Sequence, residues 1–367
     1  MTSEAVQYPE TITRWFAQAC DMQASDLHVV AGSVPIVRAH GTLQAMDEPP
    51  VSDTELRGLL QSTSPTEMWE RFERDLNIDF SLHAKLPDKQ QRFRANYFLS
   101  NQEIGACFRL IPETIPSLDW AGFPSNVAQK IAHFRNGLVV VSGVTGSGKS
   151  TTLAMIISML NAEGNHRIVT IEEPVEYVFP QMPNSMITQR EVGLDVHSFA
   201  DGLKYSLRQD PDVILVGEIR DHETAQMAIT AAETGLLVFT TLHARDAKGV
   251  ISRFSDLYPI EGQNEIRSQL ASSLRAVVSQ HLIPSPVPGE KRNLALEVMF
   301  NTGPIASGIR TGKLQSLDNS ILTGRDQGMI TLDESIKRLM GEGRIEREVA
   351  ERFVSDPSVL GLSLIHI

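Results

Sequence analysis

Near the start of the chain Ile12, Trp15, Phe16 and Ala19 recur at helical spacing, and short runs of alternating apolar and polar residues follow at 27–30, 36–39, 78–82, 92–98 and 106–111. Leu56, Leu59 and Leu60 mark another helix among them. Alternation predicts strands with one buried face, so residues 1–111 read as a small α/β unit. Prolines at both ends of 112–116 suit neither a helix interior nor a central strand, and 112–118 is expected to be a linker. From Asp119 the pattern changes. The runs 138–142, 168–171, 213–216 and 236–242 are continuously apolar and separated by helical patterns, which predicts a parallel sheet covered on both faces. This second unit is expected to span 119–361, with shorter helices after Gly303 and Leu332, Ile336 and Leu339 as one stripe. The last residues, 362–367, read LSLIHI; they resemble translated adapter DNA and are set apart as a non-native tail.

The first strand of the second unit runs into GVTGSGKS, residues 143–150, and Leu153, Ile156, Ile157 and Leu160 then fall on one helical face. Strand, glycine-rich turn and helix together make a phosphate-binding loop. Gly143, Gly146 and Gly148 let the backbone wrap with its N–H groups inward, and Thr145, Ser147 and Thr151 complete the cradle. Lys149 can reach the β and γ phosphates, and Ser150 offers a hydroxyl to Mg²⁺. ATP with Mg²⁺ is therefore the expected cofactor.

Three more strands end in ionisable residues. The second is followed by Glu172, Glu173 and Glu176, the third by Glu218, Arg220 and Asp221, and the fourth by His243. In such sheets ligands sit beyond the carboxyl ends of the strands, so these groups are expected at the γ-phosphate edge. Hydrolysis needs one carboxylate to activate water, a second to support the metal, and a polar sensor of the phosphate. Each residue taken singly also fits a plainer part, as a solvated loop carboxylate or an ordinary hydrogen-bonded histidine. In the first unit Arg92 and Arg94 share one strand face, opposite Phe93 and Ala95, and Arg109 lies on the next strand. They form either a solvated charged face or a source of guanidinium for a phosphoryl-transfer transition state.

Composition narrows the classes. A chain of 367 residues, 41% hydrophobic, holds about two ordinary domains. Its formal charge of −12, without a dense basic run, argues against nucleic acid as a partner. Cys20 and Cys107 are too few for a disulfide framework or a zinc knuckle. No apolar stretch reaches spanning length, and a start carrying Glu4 and Glu10 is no secretion signal, so a cytoplasmic protein without direct membrane insertion is expected.

Six segments together resemble one family: ASDLHVV from Ala24, RFRANYF from Arg92, GVTGSGKSTT from Gly143, TIEEPVEY from Thr170, LRQDPDVILVGEIRD from Leu207 and AAETGLLVFTTLH from Ala231. The chain is similar to the retraction ATPases of type IV pili, the PilT and PilU group of secretion ATPases, from about residue 10 to about 340. The resemblance implies a PAS-like N-terminal domain, a RecA-like ATPase domain with a helical extension, and a homo-hexamer whose neighbouring subunits complete each ATP site. Carried over by motif, Glu176 is the general base and Glu218 the Walker B carboxylate beside Mg²⁺. His243 is the histidine-box histidine, and Arg94 and Arg109 reach nucleotide across the ring. It also implies partners: an inner-membrane pilus platform protein, which would hold the motor peripherally at that membrane, and a second retraction ATPase.

The chain departs from the family at three places. Glu173 stands where aspartate is usual, Leu236 takes the place of the first histidine of the histidine box, and PIASGIRTGK from Pro304 replaces AIRNLIRE. The primary reading is a motor for pilus retraction and twitching. The alternatives are an assembly or type II secretion ATPase, although the four-cysteine motif of those enzymes is missing, and an accessory ATP-binding subunit of a retraction motor.

Overall fold

The computed structural model describes residues 6–39, 42–287, 290–355 and 357–361; the tail set apart above lies outside them. The chain divides into two compact units. One takes the residues up to Thr114 together with Glu173–Val178, and the other takes Ile115–Glu172 with the residues from Phe179 onward.

In the first unit six strands, β1 (Ala24–Val30), β2 (Ile36–Ala39), β3 (Thr42–Ala45), β4 (Asn77–Lys85), β5 (Gln90–Ser100) and β6 (Glu103–Ile111), form an antiparallel sheet in the order β3-β2-β1-β6-β5-β4. Helices α1 (Glu10–Asp21), α2 (Asp53–Thr63) and α3 (Thr66–Asp75) contact β1, β6 and β4 respectively. Alternation is strict on β5, where Phe93, Ala95 and Tyr97 are buried and Arg92, Arg94 and Asn96 are not. Phe16 from α1 stacks on Phe93 at 4.1 Å between ring centroids, so the aromatic positions of helix and sheet lock one core. This is the PAS-like α/β unit that the resemblance implies. The pattern missed β3 because all four of its residues are exposed.

The second unit begins with the short helices α4 (Leu118–Ala121) and α5 (Ser125–Ala132). Its strands are β7 (Gly137–Gly143), β8 (Arg167–Glu172), β9 (Met186–Glu191), β10 (Val213–Val216), β11 (Leu237–Leu242), β12 (Leu274–Ile283) and β13 (Asn293–Phe300), in the order β13-β12-β7-β11-β10-β8-β9. Strands β7, β10 and β11 are buried along their whole length, as their unbroken apolar runs require. The four strands expected from the sequence, β7, β8, β10 and β11, pair in parallel, and β13, outside that set, pairs antiparallel with β12. Among the described residues between these last two strands there is no crossover helix to bring the chain back to the other end.

Between and after these strands lie α6 (Lys149–Glu163), α7 (Phe199–Ser206), α8 (His222–Glu233), α9 (Ala247–Asp256), α10 (Gln263–Ser273), α11 (Gly303–Arg310), α12 (Ser316–Thr323), α13 (Leu332–Gly341) and α14 (Arg347–Ala350). The segment PIASGIRTGK supplies α11, with Ile305 and Ile309 buried. A Cβ on Gly308 would stand 2.8 Å from Ser316 Oγ and 3.1 Å from a Leu317 methyl, so its absence lets α12 approach closely. A capping box between Thr331 and Glu334 starts α13, which lays Ile336 and Leu339 into a small core with Ile283, Ala295 and Ala350.

Glu297 on β13 accepts the first N–H of α9, from Ala247, at 2.7 Å. Burial pushes its carboxyl up to about 7; the Ala247 N–H opposes this, Asp246 and Asp318 add to it, and Lys248 draws it back. A folded pKa above the unfolded one means that the contribution to stability is complete below about 4.5 and is lost as pH rises through about 7. Glu297→Gln keeps an acceptor for Ala247 and removes the ionisation. The variant is expected to gain on the wild type as pH rises from 5 to 8, by up to about 3 kcal/mol for a shift of this size. Denaturant melts at the two pH values check this, and parallel profiles would contradict it.

Candidate active site

Strand β7 hands the chain to the loop 143–148 through Gly143, whose φ is +147°. A Cβ there would lie 2.6 Å from the Gln280 carbonyl of β12 and 2.4 Å from Ser147 Oγ, so the turn needs glycine for space as well as for φ. Gly146 and Gly148 also have positive φ, and Gly148 is the N-cap of α6. Thr145 and Gly146 are exposed, Ser147 is buried, and Gly148, Lys149, Ser150 and Thr151 are half-buried. Lys149 donates from Nζ to the carbonyls of Gly143 at 3.0 Å and Val144 at 3.2 Å, which holds its ammonium over the loop. The first turn of α6 thus presents backbone N–H groups, a cation and the Ser150 hydroxyl at one place, the arrangement that receives a polyphosphate.

Strand order places the next groups. Strand β11 lies beside β7 and β10 beside β11. His243 follows β11 and Glu218 follows β10, and their side chains meet, His243 Nε2 lying 3.6 Å from Glu218 Oε2. Glu218 also pairs with Arg220. Burial holds the His243 imidazole below its ordinary pKa, the Lys149 ammonium adds to this, and Glu218 pulls the other way. The ring is therefore neutral at pH 7, with one nitrogen to donate and one to accept, which suits a reporter of phosphate rather than a fixed cation. Thr241, which the sequence reading passed over, donates from Oγ1 to Gly217 O at 2.7 Å and ties the ends of β11 and β10 together.

Two expected members of the edge serve elsewhere. Asp221 is the N-cap of α8, accepting from Thr224 N at 2.8 Å, so its charge is used on helix structure. Glu172 ends β8, three strands from β7, and its carboxylate accepts from Thr170 Oγ1 at 2.7 Å and Gln189 Nε2 at 3.2 Å. Glu173 and Glu176 lie in the stretch that belongs to the first unit. There Arg92 donates to the carbonyls of Val175 at 2.6 Å and Glu176 at 3.2 Å. This task for Arg92 left no mark in the sequence beyond the charged face.

Arg94 and Arg109 are directly opposite one another on β5 and β6. Arg109 is paired with Asp26 at 2.8 Å and Arg94 stands 3.6 Å from Asp79. The Arg94–Asp79 pair is loose and partly exposed, a kind held by only about 0–1 kcal/mol, whereas Arg109 is held by a carboxylate that is itself 9% exposed and would lose its cation if the guanidinium moved to another anion.

Residues 3–329 match the model of one protein family, described as type II/IV secretion system protein. The chain belongs to this family. Among its type II/IV secretion system relatives is the type IV pilus retractation ATPase PilT of Pseudomonas aeruginosa, 40% identical over 346 residues, which are 94% of this chain and 98% of that one. The type IV pilus ATPase PilU of the same organism is 35% identical over 326 residues, 89% of this chain and 84% of the relative. Among solved structures, that of the pilus retraction motor PilT with bound ADP superposes with a TM-score of 0.85 at 37% identity, covering 95% of this chain and 98% of the other. The match extends over both units, so it supports the N-terminal sheet and the P-loop ATPase unit together.

Proposed function

We propose that the protein is a Mg²⁺-dependent ATPase that powers the retraction of a type IV pilus. The observation that carries this reading is the pairing of an intact phosphate-binding loop with Glu218 and His243 on the two strands that follow β7 in the sheet, in a chain similar to PilT along nearly its full length. Ser150 and Glu218 are the hard oxygen donors that Mg²⁺ takes, and Glu218 is held at the strand end by Arg220 and His243. Bound there with the phosphates, the metal would neutralise their charge. Lys149 would hold the β and γ phosphates, Glu176 would take the proton of the attacking water, and His243 would report the γ-phosphate.

The same reading has the chain work as a homo-hexamer. Arg94 and Arg109 of one subunit would serve the nucleotide of its neighbour, since a heterologous contact that closes makes a ring. Among the described residues no helix is long and apolar enough to cross a membrane, so a platform protein of the pilus would supply the attachment to the inner membrane. A second retraction ATPase is a further partner, because PIASGIRTGK forms α11 with a glycine at its contact with α12 where retraction motors carry AIRNLIRE. Gene deletion tests the reading: pili are expected to persist or become more abundant on the cell surface while twitching is impaired. A deletion strain without pili, restored by the wild-type gene, would make the protein an assembly ATPase instead.

A further inference from the structure

The His243 side chain is 46% exposed and lies 3.6 Å from Glu218, beyond hydrogen-bond length, so the backbone that carries it must fix its place. That backbone is the short connection 243–246 from the end of β11 to the start of α9. Ala244 is buried, and Asp246 caps α9 by accepting from Gly249 N at 2.7 Å. The cap leaves the first N–H of the helix, on the buried Ala247, without a partner inside the helix or in water.

Two side chains from the other side of β7 take hold of this connection. His281 on β12 donates from Nε2 to the Arg245 carbonyl at 3.1 Å, and Glu297 on β13 accepts from the Ala247 N–H at 2.7 Å. The register pairs Ser279 with Glu297 and His281 with Ala295, so the two groups stand on one face of the β12–β13 pair as diagonal neighbours. They grip the chain at a carbonyl and an N–H two residues apart, just beyond His243. A carboxylate is a costly choice for one N–H here, since burial disfavours its charge and Asp246 and Asp318 stand near it. A local cost of this kind points to the placing of the segment rather than to stability as its use.

We propose that Glu297 and His281 are positioning residues for hydrolysis, which clamp 245–247 and so hold the His243 ring where the γ-phosphate comes to lie. They act through that ring and do not touch nucleotide themselves. The inference rests on the ATP reading above and on the part it gives to His243. Loosening the clamp leaves β7, the phosphate-binding loop and α6 as they are, so nucleotide is still bound and the loss falls on kcat rather than on KM.

The test uses the full chain with Mg²⁺, with steady-state ATP hydrolysis for the chemistry, calorimetry of ADP for binding and melting curves for the fold. Glu297→Ala and His281→Ala are each expected to lower kcat by about tenfold or more, the scale of a modest misplacement at a reacting centre, with KM and ADP affinity within about twofold. Glu297→Gln keeps an acceptor for Ala247 and should stay within about threefold of the wild type. The deciding comparison is made in His243→Ala, itself slow: adding Glu297→Ala or His281→Ala should cost less than about twofold more, because the ring through which the clamp acts is already gone. His281 is half-buried, and its variant carries the comparison if Glu297→Ala does not fold. Losses that multiply in the double variants would make the clamp a plain stabiliser of the fold and overturn the proposal, as would full turnover in a folded single variant or a Glu297→Gln as slow as Glu297→Ala. His243→Ala with turnover like the wild type would overturn the part given to His243 and this proposal with it, and a wild-type chain that hydrolyses no ATP would overturn the reading beneath both.

Discussion

Replacing Lys149 with alanine is expected to lower ATP turnover by about 10² to 10³ or more, the scale of removing one preorganised charge from a phosphoryl-transfer site. The lysine Nζ already rests on the Gly143 and Val144 carbonyls, so the ammonium is placed before any phosphate arrives and pays little to reorganise. Folding should be retained, because Lys149 is half-buried in the first turn of α6 and alanine is the best helix former. Circular dichroism and a melting curve check the fold, and steady-state release of phosphate checks the chemistry. Turnover like that of the wild type in a folded Lys149→Ala protein would remove the loop from the mechanism.

The second large effect separates two carboxylates. Glu176→Gln should keep nucleotide affinity and lose about 10² to 10⁴ in turnover, as expected for a general base. Glu218→Gln acts differently. Its carboxylate stands with His243 and Arg220 at the end of β10, and the amide cannot balance a divalent cation, so half-saturation by Mg²⁺ should move upward along with the loss of rate. Titrating Mg²⁺ in both variants distinguishes the roles, and coincident metal profiles would contradict the assignment.

The parts of the molecule that the sequence made legible are those where one physical demand dominates. The burial of β7, β10 and β11 on every residue imposes unbroken apolar runs, and the turn at Gly143 imposes glycine, so both were visible. The alternation of β5 showed which face carries Arg92 and Arg94. Strand β12 carries Arg275, Ser279, Gln280 and His281 among its apolar residues and follows α10 without a break, so it did not stand out as an apolar run and the position of Gln280 behind the loop went unseen. The side chains at the phosphate edge were harder to sort. Position after a strand does not separate a residue that faces the site from a helix cap, which is why Asp221 was grouped with Glu218 although it caps α8. Nor does it give strand order, which moves Glu172 three strands from β7. Trp120 lies far in sequence from the adjacent Lys291 and Arg292 and no local pattern connects them; only the fold assembles the cleft that they line beside the phosphate-binding loop.

The central claim, that this is an ATPase ring whose sites are completed by neighbouring subunits, is tested most directly by mixing two inactive variants. Glu176→Gln lacks the base and Arg94→Ala lacks the guanidinium, and each homogeneous assembly should be nearly silent. Mixed rings contain some interfaces where an intact Glu176 and an intact Arg94 serve the same nucleotide, so ATP hydrolysis should reappear and peak at an intermediate ratio. Confirmed co-assembly with no recovery at any ratio would contradict the account.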